Sequence, residues 1–571
     1  LTPYGTDMIG NKEFYEYSTL PLGGELRYQN ASSKRYTFRN VADFSKKWDV
    51  HHVFASLGTE LTSVVTNGRK GRSLGYMPFR GKTFADIDLS LYEAYAREVQ
   101  RNPITINDNT TNTLSYFSVL TYTYNNKYIA NFNLRADGSN RFGQDKSARF
   151  LPIWSVSGRW NVHREKLVEK WSWLNELALR ASYGVQGNVH PSQTPYLIVK
   201  QENYNSTLRE FVSTLYQFPN NYLKWEKTVS YNFGVDFSIF DDRISGTLDV
   251  YHKKGYDQVV NIDIATSNGA RNVALNEGDI ENKGWELAFN FVPVRTKDLT
   301  WSISVNTGQN FNRVTKAGDS EVTWQRYVKG SLIKNGYAVN SLYAYRFKGL
   351  DSRTGEPLFY GQSEKDEDGR TIINSQQEAL DAAFTYMGKR EPDLTGGFSS
   401  SIKYKNFTLN ALFSFAFGNK VWLNNLYNES GQALPFPQQN MSREFINRWR
   451  QPGDERFTNI PALSDEPLLF RGAYERKYPI ADNRWDMYNK SDIRVAPGSF
   501  LRCRSLSLRY DFTPVQLAFL HLKGGNISFE SSNLFVIKSA KLMGRDPEQI
   551  ALPSGTVPPR PGFSCQITLN F

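Results

Sequence analysis

The chain has 571 residues with 68 Lys and Arg against 57 Asp and Glu, a net charge of +11, and 14% of its residues are Phe, Trp or Tyr. That length is too great for one ordinary core, and the mean hydropathy of −0.53, with no long unbroken apolar run, excludes a helical membrane protein. The cations are scattered through turns without a basic helix or stripe, so nucleic acid is not an expected partner. Two cysteines, Cys503 and Cys565, cannot build a disulfide framework or a zinc cluster and read as small apolar fillers.

In chain order, the first strong pattern is DLSLYEAYAREVQRN, which places Leu91, Tyr95 and Val99 on one face of a helix. Strands follow. TLSYFSVLTYTY and KYIANFNL flank Asn125-Asn126, a tight hairpin turn whose residues tolerate left-handed backbone. NKYIANFNLRADGS sets Tyr128, Ala130, Phe132, Leu134 and Ala136 against Asn131, Asn133, Arg135 and Asp137. LALRASYG, NFGVDFSIF and ISGTLDVYHKKG repeat the alternation, the last two joined at Asp241-Asp242. WELAFNF, WSISVNTG and FTLNALFSFAFG continue it, and SREFINRWR reads as a short helix capped by Ser442. The chain ends on GFSCQITLNF, where Phe563, Cys565, Ile567, Leu569 and Phe571 alternate with Ser564, Gln566, Thr568 and Asn570.

The pattern counts about 15 to 17 strands of about 8 to 14 residues, long enough to cross a bilayer at a tilt. Soluble sandwiches and propellers use shorter strands. Tight turns alternate with long connections at about 185–222, 312–340, 352–392 and 419–492, the pattern of an up-and-down membrane barrel. The expected fold is therefore all-β, one antiparallel transmembrane barrel domain over residues 1–571. Its apolar rows face lipid and its polar rows face a watery lumen.

Catalytic chemistry leaves little trace. The histidines form no HExxH, and there is no GxSxG elbow or P-loop. His51 and His52 are adjacent, so on a strand they face opposite sides. In EKDEDGR, Glu364, Asp366, Asp368 and Gly369 match positions of a calcium loop, but the bidentate position falls on Ser375. The competing reading is a solvated acidic loop, so calcium is the only cofactor the sequence suggests and no catalytic residue is expected. In the long connections, Trp324, Tyr327, Trp422 and Tyr427 are candidate substrate-stacking aromatics; packing of the loops against one another is the alternative.

Several segments together resemble the TonB-dependent outer-membrane transporters of the SusC/RagA type found in Bacteroidetes. They are NFNLRADGSNRFG (131–143), RFLPIWSVSGRWNV, LNELALRASYGVQGN (174–188), SLYAYRFKGLDSRTGEPLF (341–359) and EPDLTGGFSSSIKYKNFTLNALFSFAFGN (391–419). RWRQPGDERFTNIPAL (448–463), SFLRCRSLSLRYDF, NISFESSNLFVIK, GRDPE (544–548) and RPGFSCQITLNF complete the series in the family's order. The resemblance implies a barrel of about 22 strands closed around a plug. It implies TonB-driven import of oligosaccharides or peptides across the outer membrane, with a SusD-like surface lipoprotein as lid, and an assembly of SusCD pairs as dimers. It makes Phe571 the C-terminal aromatic signal for barrel assembly. No signal peptide, TonB box or plug is recognisable, so the chain is expected to be the C-terminal part of a larger transporter. The alternatives are an outer-membrane barrel enzyme and a surface-binding scaffold that does not transport.

Overall fold

The computed structural model describes residues 23–86, 104–140, 150–188, 196–205, 209–218, 223–265, 267, 272–318, 322–360, 376–427, 441–463, 484–550 and 557–571. The helix expected over DLSLYEAYAREVQRN lies outside them.

Two long strands, β1 (Gly24–Trp48) and β2 (His51–Met77), begin the sheet, and the two-residue β3 (Thr83–Phe84) pairs with β2. β4 (Thr105–Tyr124), β5 (Tyr128–Ser139), β6 (Phe150–Asn161) and β7 (Leu174–Asn188) follow. β8 (Ile198–Asn205) and β9 (Glu210–Gln217) form a separate hairpin. The sheet resumes with β10 (Glu226–Ile239), β11 (Ile244–Asp263), β12 (Asn272–Arg295) and β13 (Leu299–Lys316). Four short strands then fold outside it: β14 (Ser341–Tyr345), β15 (Phe347–Leu350), β16 (Pro357–Phe359) and β17 (Phe384–Lys389). β18 (Leu394–Tyr404) and β19 (Phe407–Phe417) return to the sheet, β20 (Lys420–Trp422) and β21 (Val495–Pro497) pair outside it, and β22 (Phe500–Phe512), β23 (Gly524–Lys538) and β24 (Gly562–Asn570) complete it.

The result is a 16-stranded sheet in which each long strand pairs antiparallel with the next one in the chain. Within the described residues β1 and β24 are its two edges. The strand count agrees with the sequence expectation. The hairpin turns take the expected backbone: Asn125, Asn126, Asp241 and Asp242 all have φ between 49° and 60°.

The tightest turns gather at one end of the sheet and the longest connections at the other. Residues 49–50, 125–127, 162–173, 240–243, 296–298, 405–406 and 513–523 join strands at one end. The connections through 78–104, 140–149, 189–225, 264–271, 317–393, 418–499 and 539–561 all lie at the other. The expected separate loops at about 312–340 and 352–392 are in fact one connection. SLYAY, between them, is buried at all five positions, so it lacks the wetted face of a wall strand and pairs with β17 instead.

The two faces of the sheet differ as alternation requires. One apolar rung runs Phe407, Tyr510, Ile527, Ile567 across β19, β22, β23 and β24. At the short-turn end, another runs Trp48, His51, Tyr124, Tyr128, Trp160 across five neighbouring strands, and its successive rings lie at centroid separations of 5.1–6.4 Å. Such an aromatic row is the girdle that marks a membrane–water boundary. Cys565 is exposed on the apolar face, Cys503 is buried, and neither is in a disulfide.

The largest buried apolar cluster is not in the sheet. It gathers Tyr327, Leu332, Tyr343, Tyr345, Phe359, Phe384, Phe445, Trp485 and Tyr488 from the long connections. The long-end loops thus fold on a core of their own, a canopy over one rim. Ser442 caps a 3₁₀ helix, Arg443–Asn447, by accepting from Glu444 N, and so starts the predicted short helix.

Candidate functional site

The polar face carries an arginine–carboxylate lattice. Register places Arg159 of β6 opposite Arg180 of β7, a pairing that would repel without an intervening anion. Asp236 of β10 supplies it: Arg159 donates at 2.6 Å and Arg180 at 2.9 and 3.0 Å. Arg180 also reaches Asp249 of β11 at 3.1 Å, and Arg159 reaches Glu176 at 2.8 Å. Gly234 sits opposite both Arg180 and Asp249, and its missing side chain leaves the space the guanidinium occupies. Further round, Arg135 donates to Asp137 at 2.7 Å and to Ser115 at 2.8 Å, and pairs with Glu60 at 3.4 Å.

Beside this lattice the wall encloses an open concavity of about 840 Å³, lined by Arg159, Asp236, Ser238, Thr247, Asn290 and Asn306. Its polar lining can carry hydrogen-bonding solutes but brings no nucleophile and base together. His51 Nδ1 lies 2.7 Å from Tyr122 Oη, while His52 Nε2 lies 3.1 Å from Ser45 Oγ; their different partners follow from strand alternation. Among the described residues no group of three His, Cys, Asp or Glu is placed to hold a metal. Glu364, Asp366 and Asp368 lie outside the described residues.

The four candidate aromatics fall in the canopy but not on one surface. Tyr327 is buried, stacked on Phe384 at 4.5 Å and edge-on to Tyr343 at 5.2 Å; burial raises its phenol pKa. Trp324 and Tyr427 are half-buried against the same cluster, and Tyr427 meets Trp485 edge-on at 5.3 Å. Trp422, on β20, packs with Leu342, Ala344 and Val495, and Lys490 Nζ lies 4.9 Å above its ring. Tyr327 has no face free for a ligand, whereas Trp324, Trp422 and Tyr427 keep partial exposure.

Sequence reasoning missed the charged ties within the canopy and between it and the wall. Arg502 of β22 donates to Asp546 at 2.5 Å, both 2% exposed, and pairs with Glu548 at 2.8 Å. Glu444 accepts from Arg494 at 2.5 Å and from Arg545 at 3.0 Å. Burial opposes ionisation of Glu444, but the two guanidinium groups outweigh it and hold its pKa below the ordinary value. Arg484 is buried against Glu356. The available signal was the clustering of opposite charges in GRDPE and RCR, which names no geometry.

Comparison with known proteins bears on the whole arrangement. The family model described as TonB dependent receptor-like, beta-barrel, matches residues 4–428. TonB-dependent receptor P3 of Formosa agariphila is 24% identical over 535 residues, covering 89% of this chain and 49% of the relative. TonB-dependent receptor SusC of Bacteroides thetaiotaomicron is 29% identical over 467 residues, covering 77% and 42%. Among solved structures, the RagAB peptide importer in its 'open-open' state superposes with a TM-score of 0.72 at 23% identity, over 96% of this chain and 56% of that one. The chain spans about half the length of the curated relatives it matches.

Proposed function

Because the chain belongs to the TonB dependent receptor-like β-barrel family, we propose that it forms the wall and outer canopy of an energy-coupled importer in the outer membrane. The cargo is a large polar solute, an oligosaccharide or a peptide. TonB supplies the drive, a SusD-like lipoprotein seats over the canopy, and two such pairs associate. The importer makes no covalent change to its cargo.

One observation carries this reading: in a two-faced antiparallel wall the turns of two to four residues between neighbouring wall strands all lie at one end, and every connection longer than 12 residues lies at the other. A wall apolar outside and polar inside is what lipid and a watery interior require. A canopy with its own core gives a partner protein a firm seat. Of the four candidate aromatics, Trp324, Trp422 and Tyr427 keep ring surface to offer a sugar or a peptide side chain. In the same reading Phe571, exposed just past β24, is the aromatic recognised during barrel assembly.

The test uses cells carrying the whole transporter. Labelled oligosaccharide and peptide libraries are supplied with the proton gradient intact or collapsed, and internal label is measured. Uptake of one class that requires the gradient is expected. Equal accumulation in both conditions would overturn energy-coupled import, and turnover of the cargo by purified protein would favour a barrel enzyme instead.

A further inference from the structure

The turn 513–523, TPVQLAFLHLK, is one of two longer connections at the short-turn end; the other, 162–173, exposes Leu167, Trp171 and Trp173. Four other connections at the short-turn end are small and polar: Asn125-Asn126-Lys127, Asp241-Asp242, Lys297-Asp298 and Lys405-Asn406. Residues 513–523 instead form a helical turn, Pro514–Leu517, continued as 3₁₀ through Leu520. Thr513 and Gln516 close a capping box at its start. Val515 is 85%, Phe519 76% and Leu520 50% exposed. An exposed apolar run of this kind marks a contact surface.

Its position decides the contact. Gln516 Nε2 donates to Tyr510 Oη at 2.8 Å, and Tyr510 belongs to the apolar rung with Phe407 and Ile527. A Cβ built on Gly525 would lie 3.1 Å from Leu569 Cδ2 and 3.2 Å from Leu517 Cδ1. Gly525 is opposite Leu569 in the ladder, so Leu517 packs on the apolar face at the very rim. Two independent contacts therefore fold this turn outward, over the side of the wall that faces lipid, rather than down into water. At its far end His521 and Lys523 are exposed, placed where headgroup phosphates would be.

We infer that the 513–523 turn is an interfacial wedge. It seats Val515, Phe519 and Leu520 in the lipid at the short-turn boundary of the membrane, with Lys523 at headgroup level, and so fixes the depth of β22 to β24 there. The occupant is a lipid surface, because Leu517 seats the turn on the apolar face and Val515, Phe519 and Leu520 add exposed apolar area beside it. This rests on the outer-membrane reading above.

The experiment places single nitroxides on the whole transporter in phosphatidylethanolamine–phosphatidylglycerol vesicles, in a Cys565→Ser background. Labels at Phe519→Cys, Ile567→Cys and Asp241→Cys report collision with oxygen, which favours lipid, and with a water-soluble nickel chelate. The oxygen-to-chelate ratio at 519 is expected to match that at 567 and to exceed that at 241 several-fold. If 567 is oxygen-favoured while 519 behaves like 241, the wedge is refuted and the wall reading stands. If neither reagent reaches 519, a protein neighbour covers the turn and the wedge is again refuted. If 567 itself favours the chelate, the outer-membrane reading falls and takes the wedge with it. Val515→Cys repeats the measurement on the same exposed side should Phe519→Cys fail to assemble.

Discussion

Arg180 fills the space that Gly234 leaves: a Cβ built on Gly234 would lie 2.8 Å from the Arg180 guanidinium carbon and 2.6 Å from Asp249 Oδ1. The glycine is there for room, since its backbone is ordinary strand. Gly234→Val should push the guanidinium away from Asp236 and Asp249 and destabilise the wall by about 1–3 kcal/mol. Combining it with Arg180→Ala should cost less than the sum of the two single changes. Denaturant unfolding of the detergent-solubilised protein measures both; strict additivity would mean the two residues do not share the space.

The Arg502–Asp546 pair is buried on both sides, so removing one partner strands a charge. Asp546→Ala should destabilise by about 3 kcal/mol, the low end of the range for a broken buried pair, because Glu548 remains 2.8 Å from Arg502. Adding Glu548→Gln should deepen the loss. The same unfolding assay reads it, and a cost near zero for the double variant would show that water replaces the pair.

Tyr345 lies at the centre of the canopy core, fully buried, with Phe384 at 4.4 Å and Phe359 at 6.0 Å. Tyr345→Ala should remove about 3–5 kcal/mol from the canopy. The wall strands do not depend on this residue. Limited proteolysis should therefore cut within 317–393 much faster in the variant, while the barrel remains resistant. Uniform resistance would show that the canopy does not rely on this core.

Glu165, in the 162–173 turn, accepts from Tyr128 Oη at 2.6 Å and from Lys127 Nζ and Trp160 Nε1 at 3.1 Å. The Tyr128 hydrogen bond, followed by those from Lys127 and Trp160, lowers its pKa from 4.5 to about 2. A depressed carboxylate pKa stabilises the fold fully above the ordinary value, and that contribution is lost as pH falls through the folded one. Melting temperature should therefore drop between pH 4.5 and about 2 in the native protein, with a smaller drop in Glu165→Gln. Identical pH profiles would dismiss the carboxylate's part.

The wall was legible because alternation is local. Phe407 to Phe417 and Gly562 to Asn570 announce two faces from neighbouring residues alone, and Asn125-Asn126 announces its own turn. SLYAY misled because five buried residues in a row match a strand without telling where it pairs. The canopy core was illegible for a different reason. Tyr327, Tyr345, Phe384 and Trp485 meet from segments far apart in the chain, and no local period encodes such a meeting. Trp324, Tyr327, Trp422 and Tyr427 stood out by type, but how much ring each spends on packing depends on those distant partners. Gly234 and Arg180 are equally silent in sequence, since register alone brings them together.

The paired arginines also set the character of the polar face. Arg159 and Arg180 already spend their donors on Asp236, Asp249 and Glu176, and near Asn306 the lining turns to Gly397, Ser399 and Asn290. Such a surface presents polar groups that are already partly satisfied by one another. In the import reading proposed above, that leaves a polar solute weak contacts along the wall in place of one tight site.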